Sequence, residues 1–419
     1  MLMKACMLVL LMVNSSVSIG QSFGKEMLGK EKEITLPFNF LSGFIVVYIV
    51  YDKTFPLRFV FDTGAEHTIL FKKIYADLLG TKYDQRIKIY GADLTKNMTA
   101  LIARERFIQL ENTKAVKKDI VVMEQNLVDL EEVTGVKIDG ILGGEYFRGL
   151  VIEIDYKKQK ITLYDPDRFS KDLKKHTEIP ITITRNKPYI LSKYSENGDT
   201  IKTAKMLLDS GAGLSCLFHH NSSASIQLPS KILTGSLGKG LGGDIEGFMG
   251  KIHTINVGPF EFNNMVVNYQ ALDSTLFNED EIIRNGIIGN LLLERFNVII
   301  NYQKEIAYFK PIKNYNKNFK YDKSGLFLYA YGPNLDQYFV KRVIKGSPAD
   351  EAGIQQGDLI KKVGWWSTRW YSLQGITNKL SGDIGKKIKL KVERKGECLS
   401  YEFRLRDLFE PSTETSSSP

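Results

Sequence analysis

The 419-residue sequence predicts a mainly β protein of two related lobes followed by a smaller β-rich module. Three observations carry this expectation. Short β-branched and aromatic runs alternate with Gly, Asp and Asn turns from Ile34 to about Pro166. The same succession returns between about Ile181 and Pro311 at a nearly constant offset. The segment from about Ser324 to Leu408 follows no such repeat. The expected divisions are 34–166 for the first lobe, 178–312 for the second and 322–408 for the module. With 43% hydrophobic and 25% charged residues, the chain can fill two or three cores and is neither disordered nor collagen-like.

Taken in order, Lys4 precedes an apolar run from Ala5 to Val13, and small residues lead to Gly20. This reads as a secretory signal over residues 1–20, cut after Gly20. The run is about half the roughly 20 residues a spanning helix needs, so no membrane span is expected once the signal is removed. Export is expected, with the periplasm and the outside of the cell both open. Residues 21–33 could serve as an inhibitory pro-segment or as a linker. The runs at 44–50, 57–61, 151–154 and 161–164 read as strands of the first lobe. Lys313 to Asn318 reads as a polar linker, and residues 411–419 lack large apolar side chains and read as a disordered tail.

The duplication rests on three landmarks. Asp62-Thr63-Gly64-Ala65 answers to Asp209-Ser210-Gly211-Ala212, 147 residues on. Ile141-Leu142-Gly143 answers to Ile287-Ile288-Gly289, and Ile154-Asp155-Tyr156 to Ile300-Asn301-Tyr302, both 146 residues on. Each Asp closes an apolar strand and precedes a Gly that lets the chain turn, with a hydroxyl beside it to lock the turn. Two carboxylates within hydrogen-bond reach cannot both ionise easily and share one proton. The charged member can take a proton from a water while the protonated member donates to a substrate carbonyl.

These residues resemble the aspartic proteases of pepsin and retropepsin type over about residues 34–311. The resemblance implies a two-lobed acid-protease β-barrel fold, with Asp62 and Asp209 as the dyad and Thr63 and Ser210 as hydroxyls that brace the two turns. Gly64, Ala65, Gly211 and Ala212 complete those turns, and the Ile/Leu-Gly segments are expected to cross behind them. It further implies protein or peptide substrates and no cofactor or metal. One chain carries both half-sites, so a monomer is expected. Ala65 and Ala212 stand where pepsin-like turns carry a hydroxyl, so the dyad should hold its proton to higher pH and work from mildly acidic to near-neutral pH. Candidate flaps are Tyr90-Gly91 in the first lobe and Gly240, Gly242 and Gly243 in the second.

In the C-terminal module, Pro348 should open a short helix that Gly353 ends, and Gly357-Asp358 should turn the chain into the strand from Leu359 to Val363. The succession Ser347-Pro348-Ala349, Ala352-Gly353-Ile354 and Gly357-Asp358-Leu359-Ile360 resembles a PDZ domain. Such domains add a peptide as a strand to a sheet edge and capture its terminal carboxylate in backbone amides. By that resemblance Gly325, Leu326 and Phe327 are the peptide-binding candidates, with Phe327 standing where a second Gly is usual.

Other readings are excluded or stand open. The net charge of +9 is concentrated in residues 313–419, which hold 19 basic and 12 acidic residues, and this argues against a nucleic-acid enzyme. Cys6, Cys216 and Cys398 are too scattered for a disulfide scaffold or a zinc site. His219-His220 reads as a loop pair rather than a metal ligand set, and His67 as a cap or packing residue. Trp365, Trp366 and Trp370 read as core or turn packing, with an exposed partner surface as the alternative. Gly-Asn-Ser-Gly-Gly, a motif of PDZ-bearing serine proteases, is absent. Two alternatives to an exported endopeptidase stay open: a non-catalytic peptide-binding protein, and a narrow processing enzyme whose PDZ domain selects substrates or gates the cleft.

Overall fold

A computed structural model describes residues 24–90, 97–125, 130–240, 243–272 and 284–410. The expected signal at 1–20 and tail at 411–419 lie outside the described residues.

The chain is mainly β, and the duplication read from the sequence is present in three dimensions. In the first lobe, eight strands pair in the order Asn39–Leu41, Phe44–Tyr51, Phe55–Phe61, Gly140–Leu142, Ile69–Leu70, Val116–Met123, Asn97–Leu110 and Tyr83–Tyr90. In the second, the order is Thr182–Thr184, Lys187–Ser195, Lys202–Asp209, Gly286–Gly289, Cys216–His219, Phe260–Gln270, Gly243–Val257 and Ile232–Gly240. The two orders correspond position by position. In each, the strand that leads into the Asp-Thr-Gly or Asp-Ser-Gly turn runs parallel to the short strand that brings in the Gly segment: Phe61 faces Leu142, and Asp209 faces Gly289.

A third, six-stranded sheet joins the lobes, which the sequence did not announce. Val151–Asp155 of the first half pairs antiparallel with Phe296–Asn301 of the second, in the register Val151 to Asn301 and Asp155 to Asn297. Glu33–Pro37 lies on one edge and Thr177–Pro180 on the other. The two paired strands are duplicate copies that run antiparallel with Glu153 facing its own copy, Ile299, so the two halves meet about an approximate twofold axis. One core cluster runs from Met27 through Phe61 and Phe147 to Phe218 and Phe309, across both lobes.

The polar linker from Lys313 to Asn318 is anchored on the second lobe: Arg295 Nη1 donates to the carbonyls of Tyr315 and Lys317 at 2.9 Å, and Tyr315 and Phe319 pack on the main core. One expectation needs correction here. Trp365, Trp366 and Trp370 do not pack in a core; they are 87%, 64% and 79% exposed.

The C-terminal module forms its own sheet, Leu326–Tyr331, Gln337–Val343, Leu359–Val363, Lys387–Arg394 and Glu397–Arg404, around a separate core that includes Val340, Ile360, Ile376 and Val392. The expected helix is Pro348–Glu351, capped by the Ser347 hydroxyl accepting from Asp350 N at 3.3 Å. Gly353 ends it at φ +89°, and Leu359–Val363 is the following strand.

Candidate functional site

Asp62 and Asp209 meet where the two lobes meet. A Cβ placed on Gly64 would lie 2.4 Å from the Asp209 carboxyl carbon, and one on Gly211 would lie 2.1 Å from that of Asp62. Only glycine lets each turn approach the opposite carboxylate so closely. The turns are tied across the lobes by four hydrogen bonds from two buried hydroxyls. Thr63 Oγ1 donates to the Leu208 carbonyl at 2.7 Å and accepts from Ser210 N at 3.0 Å. Ser210 Oγ donates to the Phe61 carbonyl at 2.8 Å and accepts from Thr63 N at 3.0 Å.

Within each turn, amides orient the carboxylate. Gly64 N and Ala65 N donate to Asp62 Oδ1 at 2.7 and 2.9 Å, and Gly211 N donates to Asp209 Oδ1 at 2.7 Å. Behind the turns, Gly144 N donates to the Ala65 carbonyl at 2.8 Å and Asn290 N to the Ala212 carbonyl at 2.9 Å. The Gly before each is required by crowding, since a Cβ on Gly143 or Gly289 would lie 2.4 Å from the His67 or Leu214 carbonyl oxygen.

Burial is the main cause that lifts Asp62 well above the usual carboxylate range, and the Asp209 charge and a hydrogen bond shared with it add to the rise. The Gly64 and Ala65 amides oppose it. Burial also raises Asp209, against the Gly211 amide and the positive charges of Arg284 and Lys187. The pair therefore keeps one proton into the range where lone carboxylates are ionised.

Three features of this site were not singled out in the sequence. Asn290 is fully buried and bridges the lobes: its Nδ2 donates to the carbonyls of Gly43 at 2.8 Å and Ser210 at 2.5 Å, and its Oδ1 accepts from Tyr156 OH at 2.6 Å. Its repeat partner is Gly144, so a break in the repeat symmetry was the available signal. Arg185 Nε donates to Glu66 Oε2 at 2.8 Å, a second link between the lobes. Arg284 Nε donates to His219 Nε2 at 3.2 Å; His219 is buried at the end of a strand, not in a loop, and burial holds it well below its ordinary range. His67 packs by ion pairing, its Nδ1 2.7 Å from Glu145 Oε2.

The flap candidates fall in edge hairpins of each lobe. Tyr90 ends a strand paired with Asn97, and Gly240 pairs with Gly243. Gly91 and Gly242 lie outside the described residues. In the C-terminal module, Gly325 at φ +84° opens the edge strand Leu326–Tyr331, which carries Leu326 and Phe327 and lies against the helix Leu373–Leu380. The amides of Ser324, Gly325 and Leu326 donate to Asp322 Oδ1 at 3.0, 2.7 and 3.3 Å.

The hydroxyl brace makes a direct prediction. Thr63→Val keeps the shape but strips the partners from Ser210 N and the Leu208 carbonyl, both buried, at a cost of about 2 to 4 kcal/mol. Denaturant unfolding measures it, and Thr63→Ser should recover most of the loss.

Comparison with known proteins bears on both parts of the chain. Residues 47–146 match the family model described as aspartyl protease, and residues 339–394 match that of the PDZ domain. A relative named as a probable CtpA-like serine protease, from Staphylococcus saprophyticus subsp. saprophyticus, is 35% identical over 90 residues, covering 20% of this chain. The chain spans only 18% of that relative's length. The stretch of the first lobe that holds the Asp-Thr-Gly turn is thus similar to the aspartyl protease family, and the module after the paired lobes to PDZ domains.

Proposed function

We propose that the chain is an exported aspartic endopeptidase whose two half-sites lie in one polypeptide, acting as a monomer. The observation that carries this reading is the pair of facing carboxylates, Asp62 and Asp209, held by cross-lobe hydroxyl bonds. The serine chemistry in the name of the CtpA-like relative would need a nucleophilic Ser motif; Gly-Asn-Ser-Gly-Gly does not occur in the sequence, and its Gly-x-Ser-x-Gly match, Gly20-Gln21-Ser22-Phe23-Gly24, straddles the expected cut after Gly20.

The positive charges of Arg284 and Lys187 favour the ionised form of Asp209, which suits Asp209 to the role of base and Asp62 to that of acid. Asp209 then takes a proton from a water lying between the carboxylates as that water attacks the scissile carbonyl carbon. Asp62 donates its proton to the carbonyl oxygen. The tetrahedral diol collapses when Asp209 returns a proton to the leaving nitrogen and Asp62 recovers one from a hydroxyl, which restores the starting state. The edge hairpins ending at Tyr90 and Gly240 would close over the substrate and exclude bulk water.

The test is hydrolysis of a mixed peptide library from pH 3 to 8. Below the lower titration of the pair both carboxyls are protonated and the base is lost; above the higher one both are ionised and the acid is lost. Because burial lifts both, the optimum is expected at mildly acidic to near-neutral pH. An optimum below about 3, near where a dyad titrating at roughly 1.5 and 4.7 would work, rejects the expected environment. Absence of hydrolysis throughout favours a non-catalytic peptide-binding protein. Export is tested by the N-terminal residue of protein recovered outside the cytoplasm, expected to be Gln21.

A further inference from the structure

The edge strand and the helix that frame the expected peptide site of the C-terminal module touch other parts of the chain. A PDZ groove needs free backbone amides at its closed end and an open strand edge facing a helix. Here the Ser324, Gly325 and Leu326 amides already converge on the Asp322 carboxylate, and the Ser324 hydroxyl donates to it at 2.9 Å. A carboxylate of the chain itself thus stands where a terminal carboxylate would be captured. Along the groove, the first-lobe helix Leu130–Thr134 lies against both the edge strand Leu326–Tyr331 and the helix Leu373–Leu380. Just past its end, a Cβ on Gly135 would sit 3.4 Å from Leu373 Cβ.

The same face holds the second-lobe hairpin. Phe327 lies over Gly235, where a Cβ would stand 3.1 Å from the ring, so the missing side chain makes its seat. Arg342 Nη2 approaches Glu246 Oε1 at 3.7 Å, and Gly235 and Ser236 pair with Gly247 and Glu246 across that hairpin. Lys251 Nζ, further along the same strand, bonds Asp407 at 2.6 Å. The helix Leu130–Thr134 also touches the hairpin strand Ile232–Gly240, and it leads through Ile138 and Asp139 into Gly140–Leu142 behind the Asp62 turn. One contact surface therefore reaches both catalytic lobes.

We propose that the PDZ groove is an internal docking surface whose occupant is the first-lobe helix Leu130–Thr134, and that a peptide with a free carboxyl end must displace it, releasing the second-lobe hairpin. The regulatory half rests on the protease reading; the docking half does not. By linkage, whatever strengthens the internal contact weakens peptide binding by the same factor.

The spacing at Gly135 and Leu373 allows a direct test, since disulfides need Cβ atoms roughly 3.5 to 4.5 Å apart. The full chain carrying Gly135→Cys, Leu373→Cys and Cys398→Ser is compared oxidised and reduced, with Asp62→Asn added for binding and exchange. Oxidation should form the bond, slow amide exchange over residues 243–250 at least about tenfold, and lower binding of a fluorescein-labelled random heptapeptide pool with free carboxyl ends by a similar factor. In the form with Asp62 intact, hydrolysis of the peptide library should fall at least about tenfold on oxidation. A bond that does not form, or forms without changing exchange and binding, overturns the proposal. If exchange and binding respond but neither form hydrolyses peptide, the protease reading fails and the docking stands. Cys at Gly135 must adopt φ +72°, so Phe327→Gly gives a second route: it should quicken exchange over 243–250, and unchanged exchange counts against the proposal.

Discussion

Asp62→Asn and Asp209→Asn are each expected to lower peptide hydrolysis by roughly 10²- to 10⁴-fold, the scale of removing a positioned acid or base. Either change leaves a pair that cannot share a proton between two carboxylates, so each should be as damaging as the other. Stability supplies an independent readout with the opposite sign. Both carboxyls are lifted above their ordinary values, mainly by burial, so folding keeps a proton that the unfolded chain releases. A raised carboxyl costs stability once the pH exceeds the unfolded value of about 3.9, and the cost is complete above the folded value. A neutral Asn removes it. The variants should therefore melt at or above the wild-type temperature at pH 7, with the difference shrinking towards pH 4. Lost activity together with lower stability at pH 7 would mean that the carboxylates chiefly hold the turns together.

What the sequence made legible is what local chemistry fixes. The Asp-Thr-Gly and Asp-Ser-Gly turns need a small residue, a hydroxyl and a carboxylate at adjacent positions, and the Gly143 and Gly289 crossings tolerate no side chain. Such constraints write themselves into short motifs, and the duplication wrote them twice. The joining sheet is different: Val151–Asp155 looks like any half-buried strand, and nothing local says that its partner is Phe296–Asn301. Asn290 was hidden because it interrupts the repeat that made everything around it visible. The tryptophans misled because large aromatic side chains are usually buried, and exposure depends on which loop face the small sheet turns outward. The contact of the C-terminal module with both lobes was out of reach for a further reason. Gly135 meets Leu373 and Gly235 meets Phe327 only when three separate parts of the chain are assembled.

The segment ahead of the first lobe, open in the sequence between inhibitor and linker, sits as a structural part, and removing it should be costly. Lys25–Leu28 is a single helical turn, too short to persist alone. Its Met27 and Leu28 are buried in the core that runs through both lobes. Lys114 N donates to the Met27 carbonyl at 2.9 Å, Arg168 to those of Lys30 and Glu31 at 3.0 and 2.5 Å, and Asp165 N to that of Lys32 at 2.9 Å. Losing either buried side chain costs roughly 2 to 5 kcal/mol, a large share of the 5 to 15 kcal/mol that holds a typical domain together. A chain beginning at Glu33 is thus expected to lose at least about 4 kcal/mol, seen as a large fall in folded yield and melting temperature. An inhibitory pro-segment makes the contrary prediction: full stability after its removal, and faster hydrolysis. Met27→Ala separates the two without truncation, because it should destabilise the intact chain by about 2 to 5 kcal/mol while leaving turnover by the remaining folded molecules unchanged.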